Sequence, residues 1–424
     1  MFVWEDKMAK LNRNILCIDL KSFFASCECI ERGLDPFTTP LVVASSNKGA
    51  ITLAVTPYLK KLGIKGRTRL YDIPKNIKYI KVPPRMSLYI KKSEEVVSVY
   101  LDYVAEEDLH IYSIDECFLD VTSYLKMYNK TDYELAIDIL KSIEKKTGLT
   151  ATCGIGPNML LAKVSMDVEA KKYKNGIAKW GYDDVKEKLW NIYPLSNMWG
   201  IGKRMEYNLN NLGIYTVGDL AQSDINLLKS KFGVIGEELW NHANGIDESV
   251  ISDKQIPPKS SSISESQILY RDYYEDNIKI IILEMAEGLT RRLRLDNKTT
   301  GLVGFGINYS KDVGGGFYHS VKLDILTDDV NIIYKYCILI FDKYYKTDMP
   351  IRKVSITLGS LEKKTNRQLS LFENTKEVEL NNKLENTIDE VKNKYGKNSI
   401  LKASSLTEYS TIKERNKKIG GHSE

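Results

Sequence analysis

The segment "YSIDECFLD", residues 112–120, places Asp115, Glu116 and Asp120 in a stretch whose other residues favour a buried strand. Burying ionised carboxylates is unfavourable unless a cation or hydrogen-bond donors offset the lost hydration. Two adjacent acids in such a stretch therefore point to a bound metal ion.

A second apolar run, "NILCIDL", carries Asp19 near its end, 96 residues before Asp115. If the two runs are neighbouring strands, Asp19, Asp115 and Glu116 converge at one edge of a sheet. Carboxylate oxygens suit Mg²⁺, and two such ions about 4 Å apart can activate an attacking oxygen and stabilise the leaving oxygen of phosphoryl transfer. A single acid is more often a solvated surface group, but three acids within apolar runs favour a metal site.

Strand geometry restricts this prediction, because successive strand residues point to opposite faces of a sheet. Asp115 and Glu116 can reach the same pair of ions only at a strand end, a bend or a bulge. A hairpin turn around Glu116 would meet this requirement.

The composition is that of a soluble globular protein: 424 residues, 43% hydrophobic and 28% charged, enough for two to four domains. The sequence shows neither a signal peptide nor an apolar run long enough to cross a bilayer, so we expect a cytoplasmic protein without a membrane partner. Its six cysteines lie apart in apolar contexts, which favours reduced core thiols over a zinc site.

Positive charge is concentrated in one segment. The net charge is only +5, but Lys60 to Lys92 contains eight Lys and three Arg against one acid, Asp72, with tyrosines between them. Such a segment is typical of a polyanion-binding surface or of a solvated lysine-rich face, and the sequence leaves both open.

Strands alternate with amphipathic helices over residues 12–165, which indicates an α/β or α+β domain. The chain then becomes mainly helical up to about residue 250. "DKQIPPKSSSIS" (253–264) is typical of a linker, and a small α+β unit follows it. From residue 362 the sequence is polar, and we expect a tail with little packed core.

Four motifs in this order, "CIDLKSFFASCE", "SIDECFLD", "CGIGPNMLLAKVSMD" and "WGIGKRMEYNLNNLGIYTVGDLA", resemble the Y-family DNA polymerases, in particular UmuC-like members of Gram-positive bacteria. The resemblance spans roughly residues 12–360. It implies an α+β right-hand polymerase with a palm of mixed sheet and helices, small fingers, a helical thumb with a helix-hairpin-helix, and an α+β little finger. The implied parts are the palm (12–24 and 86–178), fingers (25–85), thumb (179–252), linker (253–264), little finger (265–361) and tail (362–424).

The resemblance also implies the activity, a template-directed, low-fidelity DNA polymerase for translesion synthesis in the DNA-damage (SOS) response. Its substrates would be primer-template DNA and dNTPs, and its cofactor two Mg²⁺ ions. Asp19 and Asp115 would bind both ions, Glu116 the catalytic ion, and the Leu20 carbonyl would be a further ligand.

Nucleotide-binding residues follow from the same motifs. Phe24, next to Phe23 in "KSFFASCE", matches the steric gate, the aromatic residue that would collide with a ribose 2′-hydroxyl. Lys60 matches a basic residue that contacts the triphosphate, and Lys171 is the matching second lysine, with Lys172 as its rival.

Tyr58 is the candidate for a further phosphate contact. Many family members have a tyrosine three residues before the Lys60 position, where this chain has Pro57. Tyr58 could take that role if the local backbone shifts.

"GIGKR" (200–204) resembles the turn of a helix-hairpin-helix. Backbone N–H groups at Gly200 and Gly202 could meet a DNA phosphate without reading sequence, and Lys203 and Arg204 could add charge. "TRRLRL" and "KSSSIS" would supply backbone contacts from the little finger.

"RQLSLFEN" lies just after the last predicted domain. Gln368, Leu369, Leu371 and Phe372 resemble the peptide with which bacterial polymerases bind the sliding clamp. Whether an accessory subunit is also required is left open.

Two other functions remain compatible with parts of the sequence. A nucleotide cyclase also holds two Mg²⁺ ions on acids of a sheet, although it would leave "GIGKR" and the clamp-like peptide unexplained. A catalytically silent DNA-binding accessory protein would not need the intact acids.

Overall fold

The structure, a computed structural model, describes residues 12–45, 49–252, 261–364, 375–420 and 422–423. The chain divides into two compact units, residues 1–257 with 422–424 and residues 258–421, and each is described by itself. In the part of the chain that is described, no helix is both long and apolar enough to cross a membrane.

The first unit contains two sheets. Its strands are β1 Ile15–Leu20, β2 Leu41–Val43, β3 Ala54–Val55, β4 Ile80–Val82, β5 Leu109–Ile111, β6 Glu116–Asp120, β7 Ala151–Gly156 and β8 Ile177–Lys179. The larger sheet has the order β5-β6-β1-β7-β8, antiparallel except between β7 and β8, and the smaller has the order β3-β2-β4.

The helices of this unit flank the larger sheet and continue into a helical region. They are α1 Phe23–Ile30, α2 Pro57–Lys61, α3 Met86–Tyr100, α4 Leu125–Tyr128, α5 Asp132–Thr147, α6 Met159–Val168, α7 Lys203–Asn210, α8 Val217–Gln222, α9 Ile225–Phe232 and α10 Val234–Ala243. Helix α5 shows why the local sequence folds as predicted. A capping box of Thr131 and Glu134 starts it, and Gly148 at φ 72° ends it.

The central strand β1 is buried on both faces. Leu16 and Ile18 pack into a core shared with α1, α3 and α5, whereas Ile15 and Cys17 pack with α6 on the opposite face. Asp19 follows Cys17 by two residues, so the alternation of strand side chains directs it to the α6 face.

Two glycines let α6 lie close to the sheet. A Cβ added at Gly154 would stand 2.0 Å from the carbonyl oxygen of Ala162, and one at Gly156 would stand 2.5 Å from the Ala162 nitrogen. No side chain fits at either position without moving the helix. This close packing brings the polar residues of α6 to the end of β1.

The lysine-rich segment packs against the smaller sheet. The two share a core of Val42, Val55, Leu59, Ile64 and Ile73. Eight Lys and Arg side chains between residues 60 and 81 are exposed. The predicted fingers begin at residue 25, inside helix α1. The buried apolar side chains of α1 nevertheless pack in the same core as the larger sheet.

The second unit is a four-stranded antiparallel sheet with the order β11-β10-β12-β9. Its elements are β9 Ile263–Tyr273, α11 Glu275–Leu295, β10 Lys298–Tyr309, β11 Gly316–Thr327, α12 Val330–Tyr344, β12 Ile351–Lys363, α13 Thr375–Tyr395 and α14 Ile412–Arg415. Helices α11 and α12 pack on one face, over Val303, Phe305 and Ile356. The predicted boundaries of this unit are each short by two residues, because Ile263 pairs with Leu358 and Lys363 pairs with Lys298.

The prediction of a tail with little packed core is wrong for the described residues after 380. The Thr411 N–H donates to the buried Glu284 Oε2 at 3.2 Å, and Ile412 is 5% exposed. Arg415 donates to the Glu284 carbonyl at 2.9 Å and to the Gln267 side chain at 3.1 Å. Polar composition misled the prediction, since these contacts are hydrogen bonds to partners far away in sequence.

We expect Arg415→Ala to lower the free energy of unfolding of the second unit by about 2 kcal/mol, because two charge-assisted hydrogen bonds are lost and Glu284 loses its screening from water. Chemical denaturation of the full chain would measure this. Lys417→Ala is the matched control, because that side chain is 64% exposed. Equal losses for the two variants would contradict the expectation.

Candidate active site

The acids meet at a hairpin, as the sequence predicted. β5 and β6 are antiparallel neighbours, Asp115 lies in the turn between them, and Glu116 is the first residue of β6. Asp19 is directly opposite Glu116 in the pairing of β1 with β6. The Leu20 N–H donates to the Asp115 carbonyl at 2.9 Å. The Ser113 hydroxyl donates to Asp115 Oδ1 at 2.8 Å and orients that carboxylate.

Two lysines from the α6 side hold the acids in a chain of ion pairs. Lys163 Nζ lies 2.8 Å from Glu116 Oε2 and 3.1 Å from Asp167 Oδ2. Lys171 Nζ lies 2.7 Å from Asp167 Oδ1 and 3.5 Å from Asp19 Oδ2. Asp167 therefore connects the lysine on Glu116 with the lysine on Asp19.

Burial and neighbouring charges shift the pKa values of Asp19 and Lys163. Burial raises the pKa of Asp19 to about 6, with further contributions from Asp115 and Glu116 and an opposing one from Lys171. Burial alone would lower the pKa of Lys163, but the hydrogen bond to Glu116 raises it instead. The ammonium group of Lys163 is therefore charged at neutral pH.

In metal-free protein, Asp19→Asn is expected to raise the free energy of unfolding by about 3 kcal/mol at pH 7.5. The pKa of Asp19 rises from 3.8 to about 6 on folding, and one pKa unit is worth about 1.4 kcal/mol. A carboxyl whose pKa is raised by folding gives its stability below the unfolded pKa and loses it as the pH rises through the folded pKa. The advantage of the variant should therefore vanish near pH 4.

Denaturation in EDTA at pH 7.5 and pH 4 would measure this difference. Asp183→Asn, at an exposed position of the same unit, is the control and should change neither value. A variant less stable than the wild type at pH 7.5 would refute the account.

The donor set fits a hard cation, because Asp19, Asp115 and Glu116 offer only carboxylate oxygens. Within the described residues, however, no three His, Cys, Asp or Glu side chains already stand at metal-binding spacing. The lysines explain this arrangement, since their ammonium groups pair with Glu116 and Asp19.

Sequence reasoning missed Lys163 and Asp167. Both lie in "CGIGPNMLLAKVSMD", and a signal was present. A lysine inside the apolar run "LLAKVSM" is expected to be paired if it is buried, and Asp167 follows it at i+4, on the same helix face.

The structure distinguishes the two adjacent phenylalanines. Phe23 is 2% exposed and packs in the core, so its predicted contact with a nucleotide is not supported. Phe24 is half-buried, and its ring centroid lies 4.9 Å from that of Tyr89. Of the two rings, the predicted steric gate Phe24 is the one that is partly exposed.

Of the predicted phosphate-binding residues, two lie at the acids. Burial lowers the pKa of Lys60, and Asp19 and Asp115 act against this, so its ammonium group is within electrostatic reach of both. Lys171, rather than Lys172, contacts Asp19. The Tyr58 side chain instead packs against the core of the smaller sheet.

The predicted helix-hairpin-helix turn precedes α7. Gly200 has φ 89°, Gly202 caps the helix, and a Cβ at either glycine would meet nothing within 4 Å. Lys203 is 81% exposed, and Arg204 is exposed as well. The turn is thus open to a ligand as bulky as a phosphate backbone.

A hydrogen bond connects this turn to the hairpin that carries Asp115 and Glu116. Trp199 Nε1 donates to the Tyr112 hydroxyl at 3.2 Å, and the two rings pack with centroids 5.9 Å apart. The Tyr112 N–H donates to the Glu116 carbonyl at 3.0 Å. The glycine turn and the acids therefore belong to one connected structure.

The second unit presents one open sheet face. Even-numbered residues of β10 and β11 and odd-numbered residues of β12 point away from the helices, because their neighbours form the core. The pairing sets Tyr318 beside Gly306 and Ser355, and Ser320 beside Gly304 and Thr357. This face combines glycines and hydroxyl side chains with the exposed ring of Tyr318, which lies over Gly304 and Gly306.

Two other predicted DNA or protein contacts have different outcomes. In "TRRLRL", Arg294 donates to Asp389 at 2.6 Å and lies 3.2 Å from Glu385, both on α13. This arginine is therefore paired with the tail, whereas the sequence predicted that it would contact DNA. The clamp-like residues Gln368, Leu369, Leu371 and Phe372 lie outside the described residues, as do the first residues of "KSSSIS".

Comparison with known protein families gives three consecutive matches. The impB/mucB/samB family model matches residues 18–167, a model of the family's helix-hairpin-helix motif matches 182–214, and the model of its C-terminal domain matches 260–371. The first match includes all three acids and Lys163, and the second includes the glycine turn.

Curated relatives agree over nearly the whole chain. UvrX of Bacillus subtilis (strain 168), whose name associates it with UV-damage repair, is 44% identical over 97% of this chain and 97% of its own length. DNA polymerase IV 2 of the same organism is 33% identical over 96% of this chain and 98% of its own. DNA polymerase IV of Pelotomaculum thermopropionicum is 30% identical over 95% of this chain and 97% of its own.

Proposed function

This chain belongs to the impB/mucB/samB family of Y-family DNA polymerases, and from this premise we propose that it adds deoxynucleotides to a primer with two Mg²⁺ ions held by Asp19, Asp115 and Glu116. One observation carries the proposal. The acids of two separate motifs meet at one sheet edge, where Lys171 Nζ lies 3.5 Å from Asp19 and Lys60 interacts electrostatically with Asp19 and Asp115. Oxygen donors and lysines together suit a metal-bound triphosphate.

Each side chain has a defined task. Asp19, Asp115 and Glu116, with the Leu20 carbonyl, would hold the ions, which when bound activate the primer 3′-hydroxyl and stabilise the leaving pyrophosphate. Lys60 and Lys171 would bind phosphate oxygens of the incoming dNTP as point charges. Phe24 would occupy the space that a ribose 2′-hydroxyl needs.

Lys163 and Asp167 act on the acids rather than on the nucleotide. The ammonium group of Lys163 fixes the orientation of Glu116, and Asp167 holds both this lysine and Lys171. Acids held in this way need little reorganisation when substrate binds, which favours the transition state.

DNA would be bound without base readout. The turn of Gly200 and Gly202 offers backbone N–H groups, with Lys203 and Arg204 beside it, and the open face of the second unit offers hydroxyl groups of Ser320, Ser355 and Thr357. Such contacts are independent of sequence and suit a polymerase that must accept damaged template.

We also propose that synthesis proceeds past template lesions and that Gln368, Leu369, Leu371 and Phe372 bind a sliding clamp. The name of the UvrX relative, which refers to UV damage, supports the first point. The position of the peptide at the C-terminal end of the matched domain, residues 260–371, supports the second.

Extension of a labelled primer on undamaged and abasic templates, with Mg²⁺ and dNTPs, tests the proposal. Distributive extension on both templates would support it. A product from NTPs without DNA would favour a cyclase. Tight binding of primer-template without extension, with a clamp present, would favour an accessory protein.

A further inference from the structure

Glu28 is a fully buried carboxylate in the middle of helix α1. Its exposure is 0%, in a helix whose other buried residues are apolar except for Ser26. An ionised carboxylate there is stable only if several donors surround it. Its position, one helical turn after Phe24, connects this question to the steric gate.

Three side chains supply the donors. The Tyr89 hydroxyl donates to Glu28 Oε1 at 2.7 Å, and Arg85 donates through Nε to Oε1 at 3.0 Å and through Nη2 to Oε2 at 2.7 Å. Arg32, which lies just after the end of α1, also donates to Oε2. Burial would raise the pKa of Glu28, but these hydrogen bonds lower it. The carboxylate is therefore ionised and joins α1 to the start of α3.

The same network fixes the ring that supports Phe24. Tyr89 is 0% exposed, and its ring centroid lies 4.9 Å from Phe24 and 6.5 Å from Phe23. The hydrogen bond from the Tyr89 hydroxyl to Glu28 prevents this ring from sliding along α3. Phe24 consequently has a fixed, aromatic wall behind it and an open side in front.

We propose that Glu28, Arg85 and Tyr89 form a brace that holds Phe24 in place and thereby sets the discrimination against ribonucleotides. The inference rests on the proposed function. A steric gate works only if the aromatic ring cannot retreat, because a shift of well under 1 Å relieves a van der Waals clash. These three are positioning residues, since none of them needs to touch the nucleotide.

The test is the ratio of kcat/KM for a dNTP to that for the matching rNTP. Arg85→Ala, Glu28→Gln and Tyr89→Phe are each expected to lower this ratio about 3- to 10-fold. This corresponds to a loss of roughly 1 kcal/mol in the free energy that discriminates dNTP from rNTP. The change should come from faster rNTP insertion, while kcat for the dNTP stays within about 3-fold. Arg85→Lys, which keeps the charge but not the two-point contact, should fall between wild type and Arg85→Ala.

Two further variants separate a gate effect from a general loss of structure. Phe24→Ala removes the gate, so adding Arg85→Ala to it should lower the ratio no further. Tyr103→Phe removes another tyrosine hydroxyl bond at the same core, 2.7 Å to Ser142 Oγ, and should leave the ratio unchanged. Arg85 is the safest site for folding, because its side chain is 41% exposed.

The outcomes are distinguishable. If Phe24→Ala relaxes sugar choice while folded Arg85→Ala and Glu28→Gln keep the wild-type ratio, the brace is refuted and the polymerase proposal stands. If the ratio falls equally in Tyr103→Phe, the effect is general destabilisation and the brace is again refuted. Failure of the wild type to extend a primer would remove the proposed function, and the brace with it.

Discussion

Asp115→Asn is expected to lower primer extension by at least about 10³-fold, because the variant loses a charged ligand placed where charge develops in the transition state. Asparagine keeps the size of the side chain and its hydrogen bond from Ser113. The fold should therefore persist, and the loss should appear in kcat rather than in DNA affinity. Single-nucleotide extension under saturating dNTP measures it.

Asp120→Asn provides the matched control at the far end of β6. Asp120 ends β6, away from the acids, where its carboxylate accepts hydrogen bonds from Thr122. This variant should extend primers at nearly the wild-type rate. Comparable activity of Asp115→Asn and the wild type would exclude Asp115 as a metal ligand.

The catalytic hairpin was predictable because its constraints are local. Strand alternation requires a bend if Asp115 and Glu116 are to act together, and the structure places the turn between residues 111 and 116. Helix α5 was equally predictable, since its ends at Thr131 and Gly148 carry their own capping signals. The pairing of β1 with β6 needed one further inference, that both acids serve the same ion.

What escaped prediction depends on partners distant in sequence. The tail docks through Thr411 and Arg415 on Glu284, 127 and 131 residues away, and polar composition cannot reveal this. The same tail holds Arg294, which the sequence offered as a DNA contact. Phe23 and Phe24 are adjacent and chemically identical, so only packing could assign one to the core.

Two acids of this site are paired with cations of the protein itself. Lys163 and Lys171 neutralise part of the charge of Glu116 and Asp19, which would otherwise repel in a partly buried place. A divalent ion that binds the same oxygens must compete with these ammonium groups. The lysines thus stabilise the fold, and they would also moderate the affinity for the proposed Mg²⁺ ions.

This argument makes Lys163→Met the most destabilising substitution expected at the site. Glu116 and Lys163 are each under 10% exposed, and removing one member of a buried pair costs about 3–5 kcal/mol. Chemical denaturation in EDTA measures the loss.

Three comparisons identify the cause. Lys171→Met should cost less than about 1 kcal/mol, because that side chain is 41% exposed. Adding Glu116→Gln to Lys163→Met should restore much of the stability, since no buried charge then lacks a partner. Mg²⁺ at millimolar concentration should stabilise Lys163→Met more than the wild type, because a cation can take the place of the lost ammonium group. If Mg²⁺ stabilised both proteins equally, Glu116 would not be a metal ligand, and the site would depend on Asp19 and Asp115 alone.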